Sequence, residues 1–81
     1  MHCFRIDALA DPQSLARVAG FFAQRSIIPS GMSAVRDHGW MRIEISVAGL
    51  ASHQASVIAA KLGEAVAVAA VELEESMELA A

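Results

Sequence analysis

Trp40-Met41-Arg42-Ile43-Glu44-Ile45-Ser46-Val47 alternates without a fault. In extended chain, Met41, Ile43, Ile45 and Val47 fall on one side and Arg42, Glu44 and Ser46 on the other. Side chains alternate across a strand, so this is a strand with one buried face. Asp37-His38-Gly39, just before it, is a hairpin turn signal. Met32 to Arg36 therefore reads as its antiparallel neighbour. Pro29 precedes that neighbour and marks it as an edge, because proline cannot donate to a ladder.

The remaining elements follow on either side. From His2 to Leu9, Phe4, Ile6 and Ala8 share one face while Arg5 and Asp7 share the other, a second half-buried strand. Asp11-Pro12 supplies an N-cap and a proline at the first helical position. Leu15, Val18, Ala19 and Phe22 then recur at helical spacing, which predicts a helix from Pro12 to about Arg25. On the other side, Gly49-Leu50-Ala51-Ser52 breaks the chain, with Ser52 as N-cap. Ala55, Ile58, Ala59 and Leu62 form a second apolar stripe, and Gly63 stops it. Ala69, Val71 and Leu73 alternate with Ala70, Glu72 and Glu74 in a fourth strand.

The order strand-helix-strand-strand-helix-strand predicts an α+β, ferredoxin-like βαββαβ sandwich. Its antiparallel sheet has the strand order 4-1-3-2, and both helices cover one face. Charges support the pairing. With the first and third strands antiparallel, Arg5 lies beside Glu44 and Asp7 beside Arg42, two opposite-charge pairs. A parallel arrangement would set like against like.

Eighty-one residues make one domain, read here as 1–75 with a tail at 76–81. With 56% of the residues hydrophobic and a mean hydropathy of +0.47, the chain carries more apolar material than a small monomer hides easily. A single cysteine, Cys3, rules out an internal disulfide, so oligomerisation is the expected remedy. Residues Ile27 to Val35 carry no charge, which makes the second strand the expected dimer edge, through Ser33, Ala34 and Val35. The net charge of −3 and the lack of a basic cluster argue against a nucleic-acid partner. No segment is apolar enough to span a membrane, no signal peptide is seen, and a lone cysteine fits the cytoplasm.

No catalytic constellation emerges. His38 falls in a turn and His53 in a helix's first turn, both as surface residues. Cys3 and the three histidines lack metal-ligand spacing, so neither metal nor cofactor is expected. The outer face of the central strands carries Arg5, Asp7, Arg42 and Glu44 where an RNA-recognition sheet would present aromatics. The first loop, Ala10-Asp11-Pro12-Gln13, has neither the cysteine pair of a copper chaperone nor the glycines of an acylphosphatase-like anion loop.

Leu15-Ala16-Arg17-Val18-Ala19-Gly20-Phe21-Phe22-Ala23-Gln24-Arg25 resembles the first helix of ACT domains, especially those of acetolactate synthase small subunits. The stretches Met41 to Val47 and Val68 to Leu73 fit the same family, and the likeness spans residues 2–75. The length is similar to that of the short, single-domain type of small subunit. The resemblance implies a homodimer joined through second-strand edges. It implies a regulatory role on a thiamine-dependent catalytic large subunit, to which thiamine diphosphate, magnesium and flavin would belong. A free-standing amino-acid-sensing domain serving another partner is the alternative. The resemblance also places an amino-acid effector between Asp11, Pro12, Gln13, Ser14 and Leu15 of one copy and Ser30, Gly31 and Met32 of the other. The helix start offers backbone N–H groups at Gln13 and Ser14 for its carboxylate. Effector-binding members have glycine where this chain has Gln13, and Ala10 stands in the acidic position. Weak or absent effector binding is therefore expected.

Overall fold

The computed structural model describes residues 1–75. The expected tail, 76–81, lies outside the described residues. The elements are β1 (His2–Leu9), α1 (Pro12–Gln24), β2 (Gly31–Asp37), β3 (Trp40–Val47), α2 (Ser52–Leu62) and β4 (Val68–Glu75). The sheet order β2-β3-β1-β4, with every pair antiparallel, is the expected one.

The core lies between the sheet and the two helices. Phe4, Ile6 and Ala8 of β1 meet Ile43, Ile45 and Val47 of β3, and Val18, Phe22, Ala55, Ile58 and Leu62 descend from the helices. Phe4 and Phe22 meet edge to face, with ring centroids 5.3 Å apart. On the opposite face, the register sets Arg5 against Glu44 and Asp7 against Arg42. Both pairs close, at 3.3 Å and 2.6 Å. Arg5 also reaches Glu74 of β4 at 2.9 Å, so one guanidinium links three strands.

Local expectations need correction in two places, the cap of α2 and the inward face of β4. The second helix takes Ala51, not Ser52, as its N-cap residue. The Ser52 hydroxyl instead contacts both carboxylate oxygens of Glu75, at 3.2 and 3.3 Å, and so ties α2 to the end of β4. Gly63 follows Leu62 and ends α2 as expected, in right-handed geometry. In β4 the inward residue near the bulge is Val68, not Ala69. The register shifts between Asp7 and Ala8, which leaves Ala69 exposed and sets the larger Val68 opposite Ala8. His2 is buried, 3% exposed, because it continues the inward series of Phe4, Ile6 and Ala8. Its Nε2 lies 3.6 Å from Glu75, while its Nδ1 has no hydrogen-bond partner among the described residues.

α1 ends one residue earlier than expected, and the reason is Ser26. It holds φ at 59° in the left-handed region. Its N–H bonds to the Ala23 carbonyl and that of Ile27 to the Phe22 carbonyl, each at 3.0 Å. This double bond pattern satisfies two terminal carbonyls and returns Ile27 to the core. His38 at φ 59° and Gly39 make the two-residue turn between β2 and β3.

Two stability measurements follow from this packing. Phe22→Ala should cost about 3–5 kcal/mol in denaturant unfolding. Phe21, which is only partly buried against the core, should cost clearly less when replaced by alanine. Equal losses would contradict the assignment of Phe22 as the core anchor. Ser26→Gly should raise stability by up to about 1 kcal/mol, by relieving a left-handed serine. A loss of stability would show that the serine makes a compensating contact.

Candidate functional site

The two halves of the expected effector site start from different ends of the same strand. α1 begins at the end of β1, beside the β2–β3 turn, where the Ala10 N–H bonds to the Gly39 carbonyl at 3.0 Å. That is the C-terminal end of β2. Ser30, Gly31 and Met32 stand at its N-terminal end, about 20 Å away for a seven-residue strand. One chain does not bring the halves together; an antiparallel partner for β2 would.

The structure alters the first half in a further respect. Asp11 is the N-cap of α1, and its Oδ1 accepts the Gln13 N–H at 2.8 Å. The Asp11 carbonyl accepts the Ser14 N–H at 2.9 Å. Both donors named as a seat for a carboxylate are thus already bonded, one of them to a carboxylate of the chain itself. Ser14 is buried, 2% exposed, on the side of α1 toward α2. Asp11, Pro12 and Gln13 are exposed, and Leu15 packs at the edge of the core. The N-cap signal is plain in the sequence, and a satisfied cap consumes the donor it caps.

The second half is an open edge. All seven residues of β2 are exposed, including Met32 and the predicted edge residues Ser33, Ala34 and Val35. Val35 is 63% exposed and Ile28, just upstream, is 89% exposed. Between this edge and the last turns of α1 runs an apolar groove of about 450 Å³, lined by Ala19, Ala23, Ile27, Ile28, Pro29 and Met32 among others. Its size suits an apolar side chain or a packed neighbour.

Of the remaining residue candidates, His38 and His53 are exposed as expected. No group of three or more His, Cys, Asp or Glu side chains among the described residues is arranged to hold a metal ion. Asp7 raises the Arg42 guanidinium above its ordinary pKa, first through their hydrogen bond and then through charge. This marks a structural ion pair on the sheet face.

The profile of the ACT-like domain family matches residues 1–80. The chain belongs to the ACT-like domain family. Among solved structures, the ACT domain of GTP pyrophosphokinase from Chlorobium tepidum superposes on it in solution with a TM-score of 0.80. The identity is 13%, over 96% of this chain and 89% of that one. The crystal structure of the same domain gives 0.73, at 13% identity over 90% and 95%. The C-terminal domain of the MgtC protein from Mycobacterium tuberculosis gives 0.61, at 15% identity over 90% and 83%. At these identities the likeness is one of fold. No curated protein matches the chain. No helix of this ACT-like domain, among the described residues, is long and apolar enough to cross a membrane.

The cap gives a direct test. Asp11→Ala should cost about 0.5–2 kcal/mol by freeing the Gln13 N–H, and Asp11→Asn should cost less because it can still accept that bond. Chemical denaturation of the three proteins measures both. An unchanged Asp11→Ala variant would mean that the cap does not hold the helix start.

Proposed function

We propose that this ACT-like domain is a non-catalytic regulatory and assembly module that works in the cytoplasm as a homodimer. The observation that carries the reading is the β2 edge: a seven-residue strand, exposed throughout, with no charge between Ile27 and Val35. Soluble proteins usually guard such edges with lysine, proline in mid-strand or a covering element. Here the other edge, β4, has Glu72 and Glu74, which discourage pairing. A two-fold axis through Ala34, the middle residue of β2, would set Met32 beside Arg36 of the second copy. It would leave only small side chains at the axis. Two sheets would become one of eight strands, with an α1 helix on each side of the seam and the apolar groove at its border.

Within this reading, the partner is a catalytic subunit. The best-matched choice is the thiamine-dependent large subunit of acetolactate synthase, on the strength of the α1 sequence. The competing role, a free-standing amino-acid sensor, needs a carboxylate seat at the start of α1. The Asp11 cap and the Gln13 side chain both stand against that, and they favour a module that holds its partner without an effector.

Light scattering at micromolar concentration should give a dimer for the unmodified domain, and Val35→Lys should shift it toward monomer without loss of fold. A monomeric unmodified protein would sink the dimer. Calorimetric titration with valine, leucine and isoleucine should give no binding at micromolar levels, and Gln13→Gly should strengthen any binding that exists. Micromolar binding by the unmodified domain would instead make it a sensor. Addition of the domain to an acetolactate synthase large subunit should raise its activity; no effect would return the partner to the open choices.

A further inference from the structure

Arg25 stands apart from Arg5, Arg36 and Arg42. Arg5 and Arg42 are paired with carboxylates across the sheet, and Arg36 donates to the His38 carbonyl. Arg25 has no carboxylate within ion-pair distance among the described residues, yet it is held in place from two directions. One NH1 donor reaches the Phe21 carbonyl at 3.1 Å, and its guanidinium carbon lies 3.6 Å from the centre of the Phe21 ring. Stacking on an aromatic face fixes the guanidinium plane, and most of its five donors stay unused.

Arg25 forms one wall of a groove of about 480 Å³ between the end of α1 and the outer side of α2. The remaining lining residues are Ile27, His53, Gln54, Val57 and Ile58. Ile58 is buried and Val57 is 41% exposed, so the floor is aliphatic and partly open. His53 and Gln54, in the first turn of α2, add side-chain hydrogen-bonding groups; the Gln54 Oε1 accepts the Ala51 N–H at 3.4 Å, which leaves its amide NH2 to donate. No carboxylate lines the groove among the described residues. Glu75, which touches that turn, is engaged by Ser52, which does not line the groove. An unpaired, fixed guanidinium beside an aliphatic floor recognises an anion with an apolar tail.

We propose that this groove binds a small monocarboxylate with an aliphatic tail. The carboxylate sits on Arg25, with Gln54 and His53 beside it, and the tail lies on Ile27 and Val57. All of these residues come from one copy, and the site is separate from the α1 start. The test is an amide-resolved NMR titration of the whole domain with isovalerate, with neutral isovaleramide and short-tailed acetate as controls. Isovalerate should give saturable shifts at Arg25, Ile27, His53 and Val57, with a dissociation constant on the order of 1 mM. Isovaleramide and acetate should each bind at least about ten-fold more weakly. Arg25→Gln should lose at least about ten-fold in affinity, and Val57→Asp, which sets a negative charge in the exposed groove, should abolish binding. The second variant keeps the test decisive if the first fails to fold. Three results would overturn the proposal: no saturable shift at about 50 mM, equal binding of the amide, or shifts confined to the start of α1 and β2.

Discussion

The pairing of β1 with β3 is the constraint on which the rest of this domain depends. It sets Phe4, Ile6 and Ala8 beside Ile43, Ile45 and Val47 and so makes the floor on which both helices rest. A slip of one residue would turn every one of these side chains to solvent and bring Arg5, Asp7, Arg42 and Glu44 into the core. The ion pairs on the outer face do not need to be strong to matter. They are partly exposed and add little stability, but they match only in the native register. Arg5, shared between Glu44 and Glu74, carries the same specification to β4. Apolar burial thus drives the sheet together, and charge selects its alignment.

From that floor the asymmetry of the molecule follows. Both helices cover the inward face, so the two edges and the outer face stay uncovered. The acidic residues gather on the outer face of β4, whereas β2 has neither a charged centre nor a covering element. A small domain whose core is limited by its size gains most from joining a second copy at such an edge. The groove beside β2 and the groove beside α2 then differ in what they present. The first borders the exposed β2 edge, and the second presents the Arg25 guanidinium to solution.

Most of the fold was legible because its signals were periodic. The alternation from Trp40 to Val47, the two helical stripes, the turn at His38-Gly39 and the opposite-charge pairs were each sufficient for their own element. What escaped was local bonding that periodicity does not encode. Ser52 has the chemistry of a cap, but Glu75 competes for its hydroxyl. Ala69 fits the alternation of β4, but a bulge admits the larger Val68 to the core face. Ser26 gave no stop signal, since the left-handed position it fills favours glycine. The candidate site was readable in position but not in state: Asp11 and the donors of Gln13 and Ser14 were all visible, and only geometry shows them bonded to one another. The groove at Arg25 was invisible to sequence, because its walls come from the end of α1 and from α2, more than twenty-five residues apart.

The exposed edge of β2 is the point at which this account is most open to direct measurement. In an antiparallel ladder every second residue of an edge strand points its N–H away from its neighbour. Residue-resolved amide hydrogen exchange of the unmodified domain at micromolar concentration reads those outward groups one by one. Pairing between copies predicts that the outward amides near the middle of β2 exchange slowly, and that their protection falls on dilution while that of β1 and β3 does not. Outward amides that exchange at the rate of free peptide at every concentration, beside protected inward ones, would contradict it.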